Sequence, residues 1–296
     1  MNLDFSNDQK FLQEEARKFL EKEEALSRNR SVLETESHID QELWNKIVDL
    51  GWTGIRIPED YGGLGLGHLE LCVIAEELGR YLAPVPFSSS VYLFTEAIIN
   101  YGNEEIKKDL LPKLVTGEVI GTLAVTEELY APSKSNIKVS SKNNILNGKK
   151  IAVPDAQIAT HSLVVSKSDK GVSLQLVDLS SPGVTIKHQE NIDESRGHFS
   201  IEFDGVKSDL VGDENSGWEL YETLINQAAV LFSYEQIGGS QAALDMAINY
   251  AKERYAFGRP IGSYQAIKHK LADMYVALTL AKSNCYYAAW ALSTDS

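Results

Sequence analysis

What most constrains this chain is a double switch in its hydrophobic periodicity. Apolar residues follow helical spacing over residues 1 to about 118. At Val119 the spacing becomes that of short β-prone runs, and beyond Ser216 the helical pattern returns and persists almost to the last residue. In the first zone Phe5, Phe11, Leu12, Ala16, Phe19 and Leu20 form one apolar stripe, and Ser6 is placed to cap its start. Further helices are predicted near residues 41–50, ended by Gly51, and near 69–81, 90–101 and 104–116. The middle zone alternates VIGTLAV, IKVSS, HSLVVS, VSLQLVDL, GVTIK and HFSIEF with turn clusters, which predicts a small antiparallel barrel or sandwich. The third zone reads as two long helices, residues 218–253 (about 54 Å at the helical rise) and 264–292.

This order gives an α+β class with three expected domains: helical 1–118, antiparallel β 119–215, and a partial helical bundle 216–296. The first long helix has apolar residues on more than one face, including Leu224, Ala228, Leu231, Ile237, Leu244 and Ile248. A two-helix hairpin cannot bury such a helix. Either a partner chain completes the bundle or further helices belong to it.

Composition narrows the function classes. With 28 Lys and Arg against 42 Asp and Glu in 296 residues, the net charge of −14 opposes long-range attraction to nucleic acid. The two cysteines, Cys72 and Cys285, suggest neither a disulfide framework nor a zinc site, and fit a reducing compartment. The opening residues lack the basic and apolar regions of a signal peptide, and no apolar run approaches a membrane span. The expected location is the cytoplasm. His38, His68, His161, His188, His198 and His269 are scattered, so no metal site is expected. The glycines of residues 62–67 match neither phosphate-loop spacing nor a strand-to-helix junction, and read as a tight turn between helices.

The segment YAKERYAFGRPIGSYQAIKHKLADM, residues 250–274, carries the most chemistry. It reads as a helix end with Lys252, Arg254 and Arg259, a turn at residues 258–262, and a new helix. Arginine and aromatic side chains at such a corner suit an anionic, planar ligand. They also suit compensation of a helix dipole by C-terminal cations, with Phe257 packed inside.

This segment resembles the flavin-contact segment of the acyl-CoA dehydrogenase family, R-x-x-F-G followed by a Gln-bearing helix. Three other stretches resemble the family in order and spacing: DFSNDQKFLQEEARKFL its opening helix, GWTGIRIPEDYGGLGL its helical-domain loop, and LLPKLVTGEVIGTLAVTEE the entry to its β domain. The LGRYLAPVPF and VPDAQIATH stretches are most similar to bacterial members, including subunits of heteromeric enzymes that act on bulky CoA thioesters.

The resemblance implies FAD as cofactor, an acyl-CoA thioester as substrate, and electron-transfer flavoprotein or a similar acceptor as partner. It also implies a homo- or hetero-oligomer, dimer or tetramer. Arg254 would meet the FAD pyrophosphate of a neighbouring subunit, with Phe257 and Gln265 against the same cofactor. Ala124, Val125 and Thr126 would run along the flavin ring, with the Thr126 hydroxyl at its polar edge. The implied reaction is α,β-dehydrogenation, with the α-proton passing to a carboxylate and the β-hydride to the flavin.

The sequence departs from the family pattern in three places. EELYAPSKSN follows Thr126 where a glycine-rich turn is usual. Ala152 and Pro154 stand where an aromatic and a threonine usually meet the flavin. Ala228 stands where some members carry the catalytic Glu. In most other members the base lies in the last part of the helical bundle, past the position matching Ser296. The nearest carboxylate on the same helix is Glu235, seven residues on, about 10 Å along the axis. It is the weak candidate for the base. Two readings remain at this point: an acyl-CoA dehydrogenase with a C-terminally incomplete chain, or a non-catalytic subunit that supports a catalytic partner.

Overall fold

Ser6 and Gln9 form a reciprocal capping box, and the helix they start, α1 (Asn7–Lys22), is the first of eight α-helices among the described residues of this computed structural model, 4–35 and 37–294. The others are α2 (Ala25–Leu33), α3 (Gln41–Asp49), α4 (His68–Arg80), α5 (Glu96–Tyr101), α6 (Glu104–Val115), α7 (Gly217–Glu253) and α8 (Gln265–Thr294). The chain divides into two compact units. One holds residues 1–26, 67–83 and 229–296, and the other residues 27–66 and 84–228. No helix is long and apolar enough to cross a membrane among the described residues.

In the first unit α4 is buried without a break from Leu71 to Gly79. A helix enclosed on all sides needs partners on all sides, and α1, α7 and α8 supply them. Arg17 of α1 makes a two-bonded contact with the fully buried Glu77, at 3.0 and 2.6 Å. Lys282 of α8 reaches buried Glu76 at 2.6 Å, and Arg80 meets Asp245 of α7 at 2.7 Å. A Cβ on Gly79 would lie 2.1 Å from the Glu235 carbonyl oxygen, and one on Gly238 would lie 1.8 Å from that of Glu76. The backbones of α4 and α7 therefore touch where glycine removes the side chain. The bundle that the C-terminal hairpin lacks is thus supplied in part by the chain's own α1 and α4. One side of α8 still exposes Tyr275, Val276, Leu280 and Tyr287.

The second unit contains a single eight-stranded sheet. Its strands are β1 (Gly121–Ala124), β2 (Ser140–Lys142), β3 (Ile145–Pro154), β4 (His161–Ser168), β5 (Gly171–Asp178), β6 (Val184–Gln189), β7 (His198–Lys207) and β8 (Asp209–Val211). They follow the order β6-β7-β3-β2-β4-β5-β8, with β1 beside β4. The sheet is mixed rather than purely antiparallel, because β1 and β2 both pair with β4 in parallel. The chain enters β1 straight from α6, so no hairpin imposes an antiparallel start. Phe199, Ile201, Phe203, Leu146, Val164 and Val177 centre the core of this sheet.

Residues 88–95 form a π-helix before α5, where a plain α-helix is expected from about residue 90. Its first three serines all bond outward. Ser88 accepts from Arg196 at 2.6 Å, Ser89 donates to buried Asp155 at 2.6 Å, and Ser90 accepts the Gly121 N–H at 3.2 Å. π-helix is rare, and here it coincides with three side-chain bonds to residues distant in the sequence.

The glycines of α7 give a test of the helix crossing. Gly238→Ala is expected to cost about 1–3 kcal/mol through overpacking. Gly239→Ala, whose Cβ meets nothing closer than 3.4 Å, is expected to be neutral or to gain up to about 1 kcal/mol of helix propensity. Denaturant midpoints followed by circular dichroism check this, and equal shifts at the two positions would show that the helices do not cross as described.

Candidate functional site

In the second unit the expected flavin-side residues lie at the end of β1. Ala124 is fully buried, Val125 is 8% exposed, and Thr126 is half-buried. The segment is held from β3. The Ile151 N–H donates to the Thr126 carbonyl at 2.8 Å. The Lys150 ammonium, fully buried, donates to the Val125 carbonyl at 2.9 Å and to the Glu127 carboxylate at 2.7 Å. Glu127 also accepts the backbone N–H groups of Lys138 at 2.7 Å and Val139 at 3.1 Å. Burial pulls the Lys150 ammonium down to about 8, against the Glu127 carboxylate, which pulls it up. The Thr126 hydroxyl itself has no hydrogen-bond partner among the described residues.

The register of β3 with β7 shifts between Lys150 and Val153, and within that irregularity Ala152 adopts a left-handed φ of 50°. Its N–H donates to the Gln189 side chain at 2.7 Å. Pro154 offers no N–H, and its carbonyl accepts from Thr122 at 2.6 Å. An apolar methyl and a ring therefore occupy the two positions that depart from the family pattern, with their polar backbone groups bonded inside the protein.

In the first unit α7 ends at Glu253 and the chain turns through a hairpin, β9 (Tyr255–Ala256) against β10 (Arg259–Pro260). Phe257 and Gly258 form its two-residue turn, both with positive φ, 52° and 80°. Turns of this kind match the twist of a hairpin, and they suit glycine at the second position. The Tyr264 hydroxyl donates to the Ala256 carbonyl at 2.8 Å, and the Arg259 guanidinium lies 4.0 Å over the Tyr264 ring. The Ile261 N–H donates to the Arg254 carbonyl at 2.8 Å. This framework presents three expected residues at one corner. Arg254 is exposed, with no partner for its guanidinium among the described residues. Phe257 is 98% exposed, and Gln265 is exposed as the first residue of α8. Phe257 is thus not packed in the interior, which removes the reading of this corner as a mere helix end with a buried aromatic.

Glu235 lies half-buried on α7, at the level where its backbone abuts Gly79. Ala228 is fully buried. The expected residues therefore form two groups, Ala124, Val125 and Thr126 in one unit and Arg254, Phe257 and Gln265 in the other, where Glu235 stands earlier on α7. Lys150, Glu127 and Gln189 were not singled out from sequence. A signal for Lys150 exists: it shares the parity of inward-facing Leu146 along β3.

Two clefts of the second unit lie elsewhere. One of about 590 Å³ is lined by His38, His188, Arg196 and their neighbours, and one of about 480 Å³ by Arg28, Asp40 and residues near them. The His38 and His188 rings stack at 4.5 Å, both edge-on to Phe199.

The residues present fit a flavin dinucleotide at its edge and at its phosphates. Taken unit by unit, the unbonded Thr126 hydroxyl of one suits a flavin edge, and the Arg254 guanidinium and Gln265 amide of the other suit a pyrophosphate. They supply no aromatic cover from position 152.

Known proteins agree with this architecture. Residues 6–118 match the family described as acyl-CoA dehydrogenase, N-terminal domain, and residues 215–296 match acyl-CoA dehydrogenase, C-terminal domain. A mitochondrial isovaleryl-CoA dehydrogenase of Pongo abelii is 30% identical, over 96% of this chain and 71% of its own. Butyryl-CoA dehydrogenase from Megasphaera elsdenii superposes with a TM-score of 0.91 at 26% identity, covering 99% of this chain and 81% of its own. The ChsE4-ChsE5 complex of Mycobacterium tuberculosis gives 0.90 at 27%, covering 100% and 80%. An FAD-dependent dehydrogenase gives 0.88 at 26%, covering 100% and 81%. This chain, with its helical N-terminal part, central mixed sheet and C-terminal helices, belongs to the acyl-CoA dehydrogenase family of flavoprotein oxidoreductases.

Proposed function

We propose that the protein binds FAD and takes part in the α,β-dehydrogenation of an acyl-CoA thioester. The observation that carries this reading is the corner at Arg254. A tight hairpin holds a free guanidinium and an almost fully exposed phenylalanine outward, against no other part of the described chain. Such groups suit a ligand or a neighbouring subunit, and the pyrophosphate of a neighbour's FAD satisfies both. Arg254 would fork that pyrophosphate, Gln265 would donate its amide nearby, and Phe257 would cover an apolar part of the same cofactor. Ala124, Val125 and Thr126 would line the flavin edge, with the Thr126 hydroxyl in hydrogen-bonding contact. When bound, FAD supplies the hydride acceptor for the β-carbon. Electron-transfer flavoprotein or a similar protein would accept the electrons, and the working form would be an oligomer.

The α-proton needs a carboxylate within hydrogen-bond reach or one water away. Ala228 offers a buried methyl. Glu235 is the carboxylate on the same helix to test first. The buried methyl at 228 also favours a second reading, a subunit that binds cofactor or partner without performing the proton transfer itself.

Arg254→Ala is expected to weaken FAD retention by about 1.5–3 kcal/mol, the worth of a charge-assisted bond, while leaving the thermal midpoint nearly unchanged. Flavin absorbance after gel filtration measures it, and unchanged retention would remove Arg254 from the site. FAD should co-elute with the oligomer and be missing from any monomer fraction, because each chain would bring Arg254 to its neighbour's cofactor.

Turnover of an acyl-CoA panel, followed with an artificial electron acceptor, separates the two readings. Activity lost in Glu235→Gln with flavin retained identifies the base. Activity surviving that change assigns the proton to another carboxylate. No activity with flavin retained supports the subunit role.

A further inference from the structure

We propose that Lys150 is a positioning residue for the flavin edge, holding the exit of β1 so that the Thr126 hydroxyl is presented in one place; this rests on the FAD reading above. Three consecutive residues are gripped from β3. Val125 gives its carbonyl to the Lys150 ammonium at 2.9 Å, Thr126 gives its carbonyl to the Ile151 N–H at 2.8 Å, and Glu127 gives its carboxylate to the same ammonium at 2.7 Å. Glu127 is in turn fixed by the N–H groups of Lys138 and Val139. Thr126 therefore sits between two bonds to one buried cation, and its side-chain hydroxyl has no partner among the described residues.

The energetics argue for a role beyond filling space. Burying an ammonium is costly, and an apolar side chain of similar volume would fill the same position without that cost. What the apolar side chain would not do is orient the Val125 carbonyl and hold Glu127 at once. A loop leaving a strand has few bonds of its own, and two directional bonds on either side of Thr126 remove the rotations that would scatter its hydroxyl. Sites built on a supported backbone hold their geometry, and loosely supported ones lose it.

The test is a double-mutant cycle on FAD binding with the full chain, read by flavin fluorescence and by the visible circular dichroism of the bound flavin. The four proteins are the unaltered one, Lys150→Met, Thr126→Ala and the double variant. If Lys150 acts through Thr126, each single change weakens FAD binding by about tenfold, as for one lost hydrogen bond. The double variant is then no more than about twofold weaker than the weaker single, because the two changes remove the same contact. The visible dichroism of the two single variants should change alike, whereas a purely structural role for Lys150 would lower the thermal midpoint and leave the flavin signal alone.

The proposal is overturned if folded Lys150→Met binds FAD as the unaltered protein does. It is equally overturned if Thr126→Ala has no effect or if the two losses multiply. Should Lys150→Met not fold, Lys150→Leu, which likewise offers no donor to the Val125 carbonyl or to Glu127, takes its place in the same cycle with the same criteria. Failure of the unaltered oligomer to bind FAD overturns the functional reading itself and this proposal with it; binding that the variants share overturns only the role of Lys150.

Discussion

The enclosure of α4 is the constraint on which the first unit depends. Its segment 71–79 is buried throughout and carries two adjacent carboxylates, Glu76 and Glu77, into the interior. Buried carboxylates need charged partners, and these come from opposite ends of the sequence, Arg17 and Lys282. Gly79 and Gly238 then let the α4 and α7 backbones touch. Helices joined by such contacts have little freedom to slide. The hairpin that follows α7, with Arg254 at its start, inherits that fixed origin.

The second unit solves a different problem. A strand end that is to meet a ligand must leave some polar group unbonded, yet a buried polar segment must bond nearly all of them. At β1 the carbonyls of Val125 and Thr126 and the carboxylate of Glu127 are all bonded from β3, while the Thr126 hydroxyl stays unbonded. The same economy is visible at Pro154, whose carbonyl is taken by Thr122, and at Ala152, whose N–H is taken by Gln189. The departures from the family pattern at 152 and 154 are therefore accommodated without orphaned backbone groups.

Much of this was legible in the sequence, for physical reasons that differ by element. The capping box at Ser6 and Gln9 is local and appeared where the apolar stripe began. The long helices α7 and α8 were visible because their apolar spacing runs for many turns. Strand β3 is not legible because Asn147, Lys149 and Lys150 interrupt its apolar alternation, and the partners that receive the inward Lys150, Val125 and Glu127, stand 23 or more residues earlier. The parallel pairing of β1 with β4 depends on chain segments 40 residues apart and leaves no local mark. The π-helix at residues 88–95 is fixed by Asp155, Arg196 and Gly121, all distant in sequence. Of the candidate site, the Arg254 corner could be read because its residues are close in the chain, whereas the support behind Thr126 could not.

The two groups of site residues are also paid for differently, and this shapes what substitution can reveal. Arg254 is exposed and unpaired among the described residues, so its charge remains hydrated and contributes little to folding. Lys150 is fully buried, so its desolvation is charged to the stability of the sheet whether or not any ligand is present. A change at Arg254 therefore acts on association almost alone. A change at Lys150 acts on folding and on the shape of the flavin edge together, and only its coupling to Thr126 separates the two. Glu127 belongs with Lys150 in this respect, since removing the carboxylate would strand a buried cation and release the Lys138 and Val139 amides in one step.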